Sequence, residues 1–239
     1  MQLIARDVEI LKLVGRFGQL TTPQVRSLVF PHQRSRTPCD HALHRLVKAD
    51  LLALVDQRHP GGPRGGSSYN TYQLGSQGWA LFMSGRYKKA RVIRAHQLAI
   101  ADVYVSLLEA ERAGDLKIFH YATEPDSHIQ VGGAFLKPDL YIDVGINAIG
   151  KRRAFWLEID LGTERQKQVM DQVSAYQTAY EASSEYPLKL YPHSTIFLAT
   201  DEARATEIRY WLQRAGAIPG GLSVQVGTID EVLSILRTE

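Results

Sequence analysis

The chain has 239 residues, 44% of them hydrophobic and 22% charged, which is ordinary for a globular protein of one large or two small domains. Its single cysteine, Cys39, excludes a disulfide framework and a cysteine-based zinc site, and it fits a reducing cytoplasm. No apolar run approaches the roughly 18 residues of a membrane span, and the charges of Arg6, Asp7 and Glu9 argue against a signal peptide. We therefore expect a cytoplasmic protein without a membrane partner.

The formal net charge is only +3, but it is unevenly distributed. Residues 1–90 contain 13 Lys and Arg against 5 Asp and Glu, a balance of +8, whereas residues 91–239 contain 15 against 20, a balance of −5. The basic part is a candidate for binding a polyanion, and the acidic part is not. This asymmetry predicts two domains with different tasks, over residues 1–88 and 89–239.

Three short helices are predicted near the start of the chain. The apolar spacing of residues 5–18 indicates an amphipathic helix. The second helix is expected to have Thr22 as its N-cap and Pro23 as its first residue, and Thr37 is expected to cap the third.

Two strands over residues 52–58 and 69–74 follow, joined by a loop rich in Gly, Pro and Arg. This order is typical of a winged helix-turn-helix domain, in which the third helix enters the major groove and the hairpin tip lies along the backbone or the minor groove. The residues expected to contact duplex DNA are Arg34, Arg36, His41, His44, Arg45, Lys48, Arg58 and Arg64. The alternative is a winged helix used for protein contacts; the positive charge and the arginines at the tip favour DNA.

The pattern of the residues after 74 predicts a fold of the α+β or α/β class, with a small mixed sheet flanked by helices. A short amphipathic segment spans residues 75–90, and a long helix over 90–114 precedes the sheet. Strands are expected over 115–124, 134–146, 152–162 and 190–200, helices over 163–182 and 201–216, and a final strand and helix within 222–236.

Three acids are embedded in two of these strands. Because strand side chains alternate between faces, Glu158 and Asp160 share one face of their strand. If the strands over 134–146 and 152–162 form an antiparallel hairpin, Asp139 is expected opposite Asp160 and Tyr141 opposite Glu158, and a slip of two residues would leave the faces unchanged. The three carboxylates are therefore predicted to converge at one end of one sheet face.

Three carboxylates so close repel one another unless they are protonated or bridged by a cation. Clusters of oxygen ligands suit Mg²⁺ or Mn²⁺, ions that activate water and stabilise the leaving oxygen in phosphodiester cleavage. The pattern thus predicts a Mg²⁺ or Mn²⁺ site at Asp139, Glu158 and Asp160. The alternative is that these acids line the solvated face of an ordinary hairpin.

Several segments together resemble the replication-relaxation family of plasmids and other bacterial mobile elements, over about residues 5–200. They are the winged helix, AHQLAIADVYVSL (95–107), KPDLYIDV (137–144), FWLEIDLGTE (155–164) and AYQTAY (175–180). The second domain of that family is similar to the PD-(D/E)XK nuclease fold, which places Pro-Asp, a second acid and a lysine around Mg²⁺.

The resemblance implies that Asp139 follows the proline of the motif and that Glu158 is the second acid, with Glu124 as a candidate accessory acid. Where the motif has lysine, this chain has Asp160, which cannot orient water and stabilise negative charge as a lysine does. Lys167, in the following helix, or Lys137 would have to supply that function.

Two functions follow from these observations. The first is a metal-dependent endonuclease or nickase in plasmid replication, DNA relaxation or transfer, with Asp139, Glu158, Asp160 and Lys167 as catalytic residues. The second is a non-catalytic replication or transcription factor with a degenerate nuclease fold, which would need no metal. A weaker third is a scaffold whose acidic domain binds a protein. The expected partners are duplex DNA, other replication or transfer proteins and a second copy of the chain in a homodimer.

Overall fold

The computed structural model describes residues 2–56, 69–183, 194–214 and 222–238. The chain divides into two compact units, Met1–Val105 and Ser106–Glu239. The division falls inside a long helix, whereas the sequence placed the boundary at residue 88. The predicted hairpin tip, with Arg58 and Arg64, lies outside the described residues.

The first unit consists of short helices and one small sheet. Its elements are α1 (Ala5–Phe17), β1 (Leu20–Thr21), α2 (Thr22–Val29), α3 (Thr37–Lys48), β2 (Leu52–Leu54), β3 (Thr71–Leu74) and α4 (Ser76–Phe82). The strands pair antiparallel in the order β1-β3-β2. The long helix α5 (Ala95–Ala113) begins in this unit and ends in the second.

The N-terminus of α2 is closed by a capping box. The backbone amide of Gln24 donates to Thr21 Oγ1 at 3.3 Å, and the backbone amide of Thr21 donates to Gln24 Oε1 at 2.9 Å. The N-cap is therefore Thr21, and the prediction of Thr22 is wrong by one residue, because Thr22 already belongs to the helix. The predicted cap of α3, Thr37, is likewise its first helical residue, and Arg36 stands at the cap position.

An ion pair joins α1 to α3 beside the apolar core of the first unit. Asp7 is completely buried, and Arg45 donates to its two oxygens from Nη1 at 2.9 Å and from Nη2 at 2.6 Å. The backbone amide of Ile4 also donates to Asp7, at 3.1 Å. A buried carboxylate needs such donors because it has lost its water. Arg45 therefore has a structural role, and its predicted contact with DNA stays a prediction.

The second unit is built on a mixed sheet. Its elements are β4 (Leu116–Thr123), β5 (Ile129–Val131), β6 (Ala134–Leu136), β7 (Leu140–Ile146), β8 (Lys151–Asp160), α6 (Gln166–Ser183), β9 (Ser194–Ala199), α7 (Glu202–Arg214), β10 (Ser223–Thr228) and α8 (Val232–Arg237), with a 3-10 turn at Ile229–Glu231. The five-stranded order is β10-β9-β8-β7-β4. Strands β4, β7 and β8 pair antiparallel, and β8, β9 and β10 pair parallel. The predicted mixed sheet with helices is confirmed.

Two differences from the predicted elements lie close to the acids. The single strand expected over residues 134–146 is broken between β6 and β7, where Pro138 lacks the amide that a central strand would need. The first of the resulting pieces, β6, pairs with β5 in a separate two-stranded hairpin that the sequence did not predict. Helix α6 begins at Gln166, three residues after the start predicted at residue 163.

Helices α6 and α7 pack against the sheet through a common apolar cluster. Its buried members are Val169, Val173, Phe197, Ala199, Ala205 and Ile208. A second cluster joins α6 to β8 and to the β5–β6 hairpin through Trp156, Tyr176, Ala179, Val131 and Leu136. Within the described ranges, no helix is long and apolar enough to span a bilayer.

Replacing Arg45 with alanine should lower the free energy of unfolding by about 2 kcal/mol, because the buried carboxylate of Asp7 would lose both guanidinium hydrogen bonds. Urea unfolding followed by circular dichroism measures this loss. Lys48→Ala, an exposed substitution on the same helix, is the control and should change the free energy by less than about 0.5 kcal/mol. Equal losses in the two variants would contradict the stabilising role assigned to Arg45.

Candidate functional site

The pairing of β7 with β8 brings two acids together at one end of the sheet. Leu140 pairs with Leu157, so Asp139 lies next to Glu158 at the end of the ladder. The predicted register, with Asp139 opposite Asp160, is wrong by two residues. A shift of two preserves the alternation, so each side chain keeps its predicted face.

Asp139 is fixed by the backbone of the neighbouring strand. Its carboxylate is 8% exposed, and Oδ2 accepts a hydrogen bond from the amide of Ile159 at 2.7 Å. The preceding carbonyl, of Pro138, accepts from the hydroxyl of Ser127 at 2.6 Å. The backbone pairing of β7 with β8 ends at Leu140. Just beyond it, the side chain of Asp139 continues the contact by accepting a hydrogen bond from β8.

Glu158 is held by α6. It is 7% exposed, and the hydroxyl of Tyr176 donates to its Oε1 at 2.5 Å. Burial raises the pKa of Glu158 well above its usual value, and the neighbouring Asp139 raises it further. The hydrogen bond from Tyr176 acts in the opposite direction, and the negative charges of Glu164 and Glu124 add to the rise in pKa. The site therefore favours a proton on Glu158.

Asp160 is neutralised by an arginine of α7. It is 2% exposed, and Arg204 donates to Oδ2 from Nε at 3.2 Å and from Nη2 at 2.7 Å. The amide of Gly162 donates to the other oxygen at 2.5 Å. Arg204 also donates to the carbonyl of Glu164 and to the carboxylate of Glu207. Asp160 thus belongs to an ion pair that ties the end of β8 to α7.

The predicted three-carboxylate metal site does not form in this arrangement. In the described part of the chain, no group of three or more His, Cys, Asp and Glu side chains is placed to hold a metal ion. The physical reason is that Arg204 binds the oxygen that Asp160 would offer. Asp139 and Glu158 still form a pair of carboxylates, and Mg²⁺ is often bound in proteins by one or two carboxylates together with water and substrate phosphates. The pair fits such an ion, and the trio does not.

The two candidate lysines are both exposed. Lys167 lies in the first turn of α6, and Lys137 places its Nζ 5.3 Å from the ring centroid of Phe135. Their participation in catalysis stays a prediction. Sequence reasoning missed the roles of Tyr176 and Arg204. The inward position of Tyr176 on its helix was a usable signal, whereas nothing near Arg204 in the sequence points to Asp160.

The residues predicted to contact DNA are divided by the structure into three groups. Five are exposed in or just before α3: Arg34, Arg36, His41, His44 and Lys48. Arg45 is bound to Asp7. Arg58 and Arg64 lie outside the described residues.

Comparison with known proteins assigns a family. The family model described as replication-relaxation matches residues 11–189, most of the chain. The chain belongs to the replication-relaxation family. No curated protein matches it. Among solved structures it is similar to the restriction endonuclease FokI, with 12% sequence identity and a TM-score of 0.31 over 96% of this chain and 43% of that one. The chain therefore spans less than half the length of FokI.

Replacing Glu158 with glutamine should stabilise the protein at about pH 8 by a few degrees in the unfolding midpoint. The pKa of Glu158 is raised above 4.5 in the folded state, so the folded state holds this proton more tightly than the unfolded chain. Stability should therefore fall as the pH rises from about 4.5 through the folded pKa. Glutamine removes this loss and keeps an acceptor for Tyr176.

Thermal unfolding of both proteins across this pH range measures the effect. Asp171→Asn, an exposed substitution on α6, is the control and should leave the pH profile of the midpoint unchanged. Parallel profiles for the wild-type protein and Glu158→Gln would contradict a raised pKa of Glu158.

Proposed function

We propose that this protein binds duplex DNA through its first unit during the replication of a plasmid or another mobile element. Membership of the replication-relaxation family supports a role in mobile-element replication. The observation that carries the DNA-binding proposal is the polarity of α3, which has one buried apolar face and one exposed polar face with Lys48 and two histidines, flanked by Asp40. A cytoplasmic location, and contacts with other replication or transfer proteins or with a second copy, belong to the same proposal.

The buried face of α3 consists of Cys39, Ala42, Leu43 and Leu46. On the opposite side, His41, His44 and Lys48 are exposed, and spacings of three and four residues place them along one face of the helix. Arg34 and Arg36, just before the helix, are also exposed. A helix that offers several basic side chains in one direction can meet phosphates and base edges together.

The element order of the first unit supports a winged helix. A helix, a short strand, two helices and two strands follow one another, and the first strand pairs with the last in the order β1-β3-β2. In this arrangement α3 is the recognition helix. The segment before α3 is braced by Arg26, whose Nη2 donates to the carbonyl of Arg34 at 3.2 Å.

For the second unit we propose a nuclease-like domain that does not cleave DNA. Asp139 and Glu158 occupy the two acid positions of the nuclease motif that the family resemblance implies. At the lysine position, Asp160 is paired with Arg204, and that guanidinium is directed to carboxylates and a carbonyl. No lysine of the described residues is bound at this point, and Lys167 is exposed. This observation favours the non-catalytic factor.

A metal-dependent endonuclease is the second candidate, and the adjacent carboxylates of Asp139 and Glu158 favour it. A divalent ion bound there would activate water and stabilise a leaving oxygen. The protein's own contribution would be orientation: the amide of Ile159 fixes Asp139, and Tyr176 fixes Glu158. The ion would also relieve the repulsion between the two acids.

Replacing Lys48 with glutamine should weaken binding to duplex DNA of any sequence, because a phosphate contact is lost. The slope of log K against log salt should become shallower by about one. Fluorescence anisotropy with a labelled duplex, repeated over a series of salt concentrations, measures both quantities. Lys12→Gln, which makes the same charge change at an exposed position of α1, is the matched control. Equal effects of the two substitutions would rule out α3 as the contact surface.

Incubation with supercoiled plasmid, with and without Mg²⁺ or Mn²⁺, tests the two candidates for the second unit. The non-catalytic protein should produce no nicked circles, and its melting midpoint should not rise when the ion is added. Metal-dependent nicking that persists in Asp171→Asn and disappears in Glu158→Gln would establish the endonuclease instead. DNA binding by the first unit should be the same in all three proteins.

A further inference from the structure

The antiparallel half of the five-stranded sheet, formed by β4, β7 and β8, carries a row of residues that belongs neither to the Asp139–Glu158 pair nor to α3. Gly145 of β7 pairs with Lys117 of β4 on one side and with Arg152 of β8 on the other. Directly opposed residues project to the same face of a sheet. The side chains of Lys117 and Arg152 therefore flank a glycine, which leaves the middle of the row open.

Phe119 lies across this opening. The register of β4 against β7 shifts between Ile118 and His120, and such an irregularity redirects the side chain at that point. A Cβ added to Gly145 would stand 3.1 Å from Phe119 Cε2 and 3.9 Å from Lys117 Cβ, so the phenyl ring rests where a side chain would otherwise be. The ring is nevertheless 52% exposed.

Arg152 stacks on the ring of Phe119, and the buried Asp143 fixes its guanidinium group. Its Cζ lies 4.2 Å from the ring centroid. Its Nε and Nη2 donate to the two oxygens of Asp143 at 2.9 and 2.6 Å, and Asp143 is buried. The side chain of Arg152 is still 52% exposed, and its Nη1 takes no part in this bidentate pair. The guanidinium plane is thus fixed by the protein while one edge faces outward.

The same sheet face leads to the acidic pair. Along β8, the even-numbered residues from Arg152 to Glu158 share a face, and six residues of strand span about 20 Å. Aromatic contacts continue between these ends: the rings of His120 and Tyr141 are 5.9 Å apart, and those of Tyr141 and Trp156 are 5.0 Å apart.

We propose that the basic-aromatic strip formed by Lys117, Phe119, His120 and Arg152 binds single-stranded DNA. An unpaired base would stack on the Phe119–Arg152 pair, and phosphates would meet Lys117 and the outward edge of Arg152. The ammonium of Lys117 is 3.1 Å from Glu111 Oε1, but its side chain is 65% exposed, so the surface ion pair can be exchanged for a phosphate. Exposed rings interleaved with cations are the recurring means of holding single strands, because every base has a face to stack and every nucleotide a charge. A duplex keeps its base faces stacked inside and cannot offer them to the ring.

This inference rests on the proposed action on DNA, but it concerns a different surface from α3. The second unit is acidic as a whole, so the charge that attracts a strand has to be local. A second aromatic-cation pair in the same unit, Phe135 with Lys137, supplies a comparison. Phe135 is 55% exposed, but it lies in the separate β5–β6 hairpin and not in the five-stranded sheet that carries the strip.

Binding of the full-length protein to a fluorescent oligo(dT) of about 12 nucleotides and to a labelled duplex, both at low salt, tests the proposal. Phe119→Ala should weaken oligo(dT) binding about tenfold and leave duplex binding unchanged, because one stacked base is lost. Phe135→Ala, the matched control, should change neither affinity. Lys48→Gln should weaken the duplex complex.

The possible results separate the two proposals. A wild-type protein that binds the duplex but not oligo(dT), or a Phe119→Ala variant that binds oligo(dT) as well as Phe135→Ala does, overturns the strip and leaves the proposed function standing. Binding of oligo(dT) that depends on Phe119, without binding of the duplex, supports the strip and overturns the proposed duplex binding by α3. Photocrosslinking to a bromouracil-containing strand provides a second measurement that needs no substitution. The crosslinked peptide should contain residues 117–120 or 151–153, and a crosslink confined to the first unit would overturn the strip.

Discussion

A buried carboxylate must receive hydrogen bonds from the protein in place of those that it gives up from water, and this requirement organises both units. The buried carboxylates of the described residues are Asp7, Asp139, Asp143, Glu158 and Asp160. Guanidinium groups neutralise three of them, whereas Asp139 accepts from a backbone amide and Glu158 from a phenol. Asp139 and Glu158 meet at one end of the sheet, and burial together with the charge of Asp139 raises the pKa of Glu158, so a proton there takes the place of a second negative charge. The same requirement places Arg45 against Asp7.

Much of the second unit could be predicted from local patterns, because alternation and helical periodicity are local properties. The faces of Asp139, Glu158 and Asp160 followed from strand alternation alone. The register did not, because a slip of two residues leaves the pattern of buried and exposed positions unchanged. The ion pair of Asp160 with Arg204 joins residues 44 positions apart, and no spacing rule reaches that far. The three-acid cluster failed for this reason, although the strands themselves were predicted.

Net charge describes each unit only as an average. The excess of Lys and Arg over residues 1–90 does not show where the charges lie: in α3, Lys48 is exposed, whereas Arg45 is bound to Asp7. The second unit has a negative net charge, yet its buried Asp143 leaves its partner, Arg152, exposed at the surface. It lies beneath Arg152 and directs that group outward, so a carboxylate here positions a positive charge. The position of each charge within the sheet, and not the sum, determines what the surface can bind.

The pairing of Asp160 with Arg204 also constrains how such a chain can change. Arg204 is only 10% exposed, and its ring neighbour, Trp211, lies 4.8 Å from the guanidinium. A lysine introduced at position 160 would stand against a cation that has little room to move. Placing a cation at position 160 therefore requires a second substitution at position 204, because either change alone leaves a buried charge uncompensated. The two positions are thus energetically coupled, so the effects of substitutions at them on stability are non-additive.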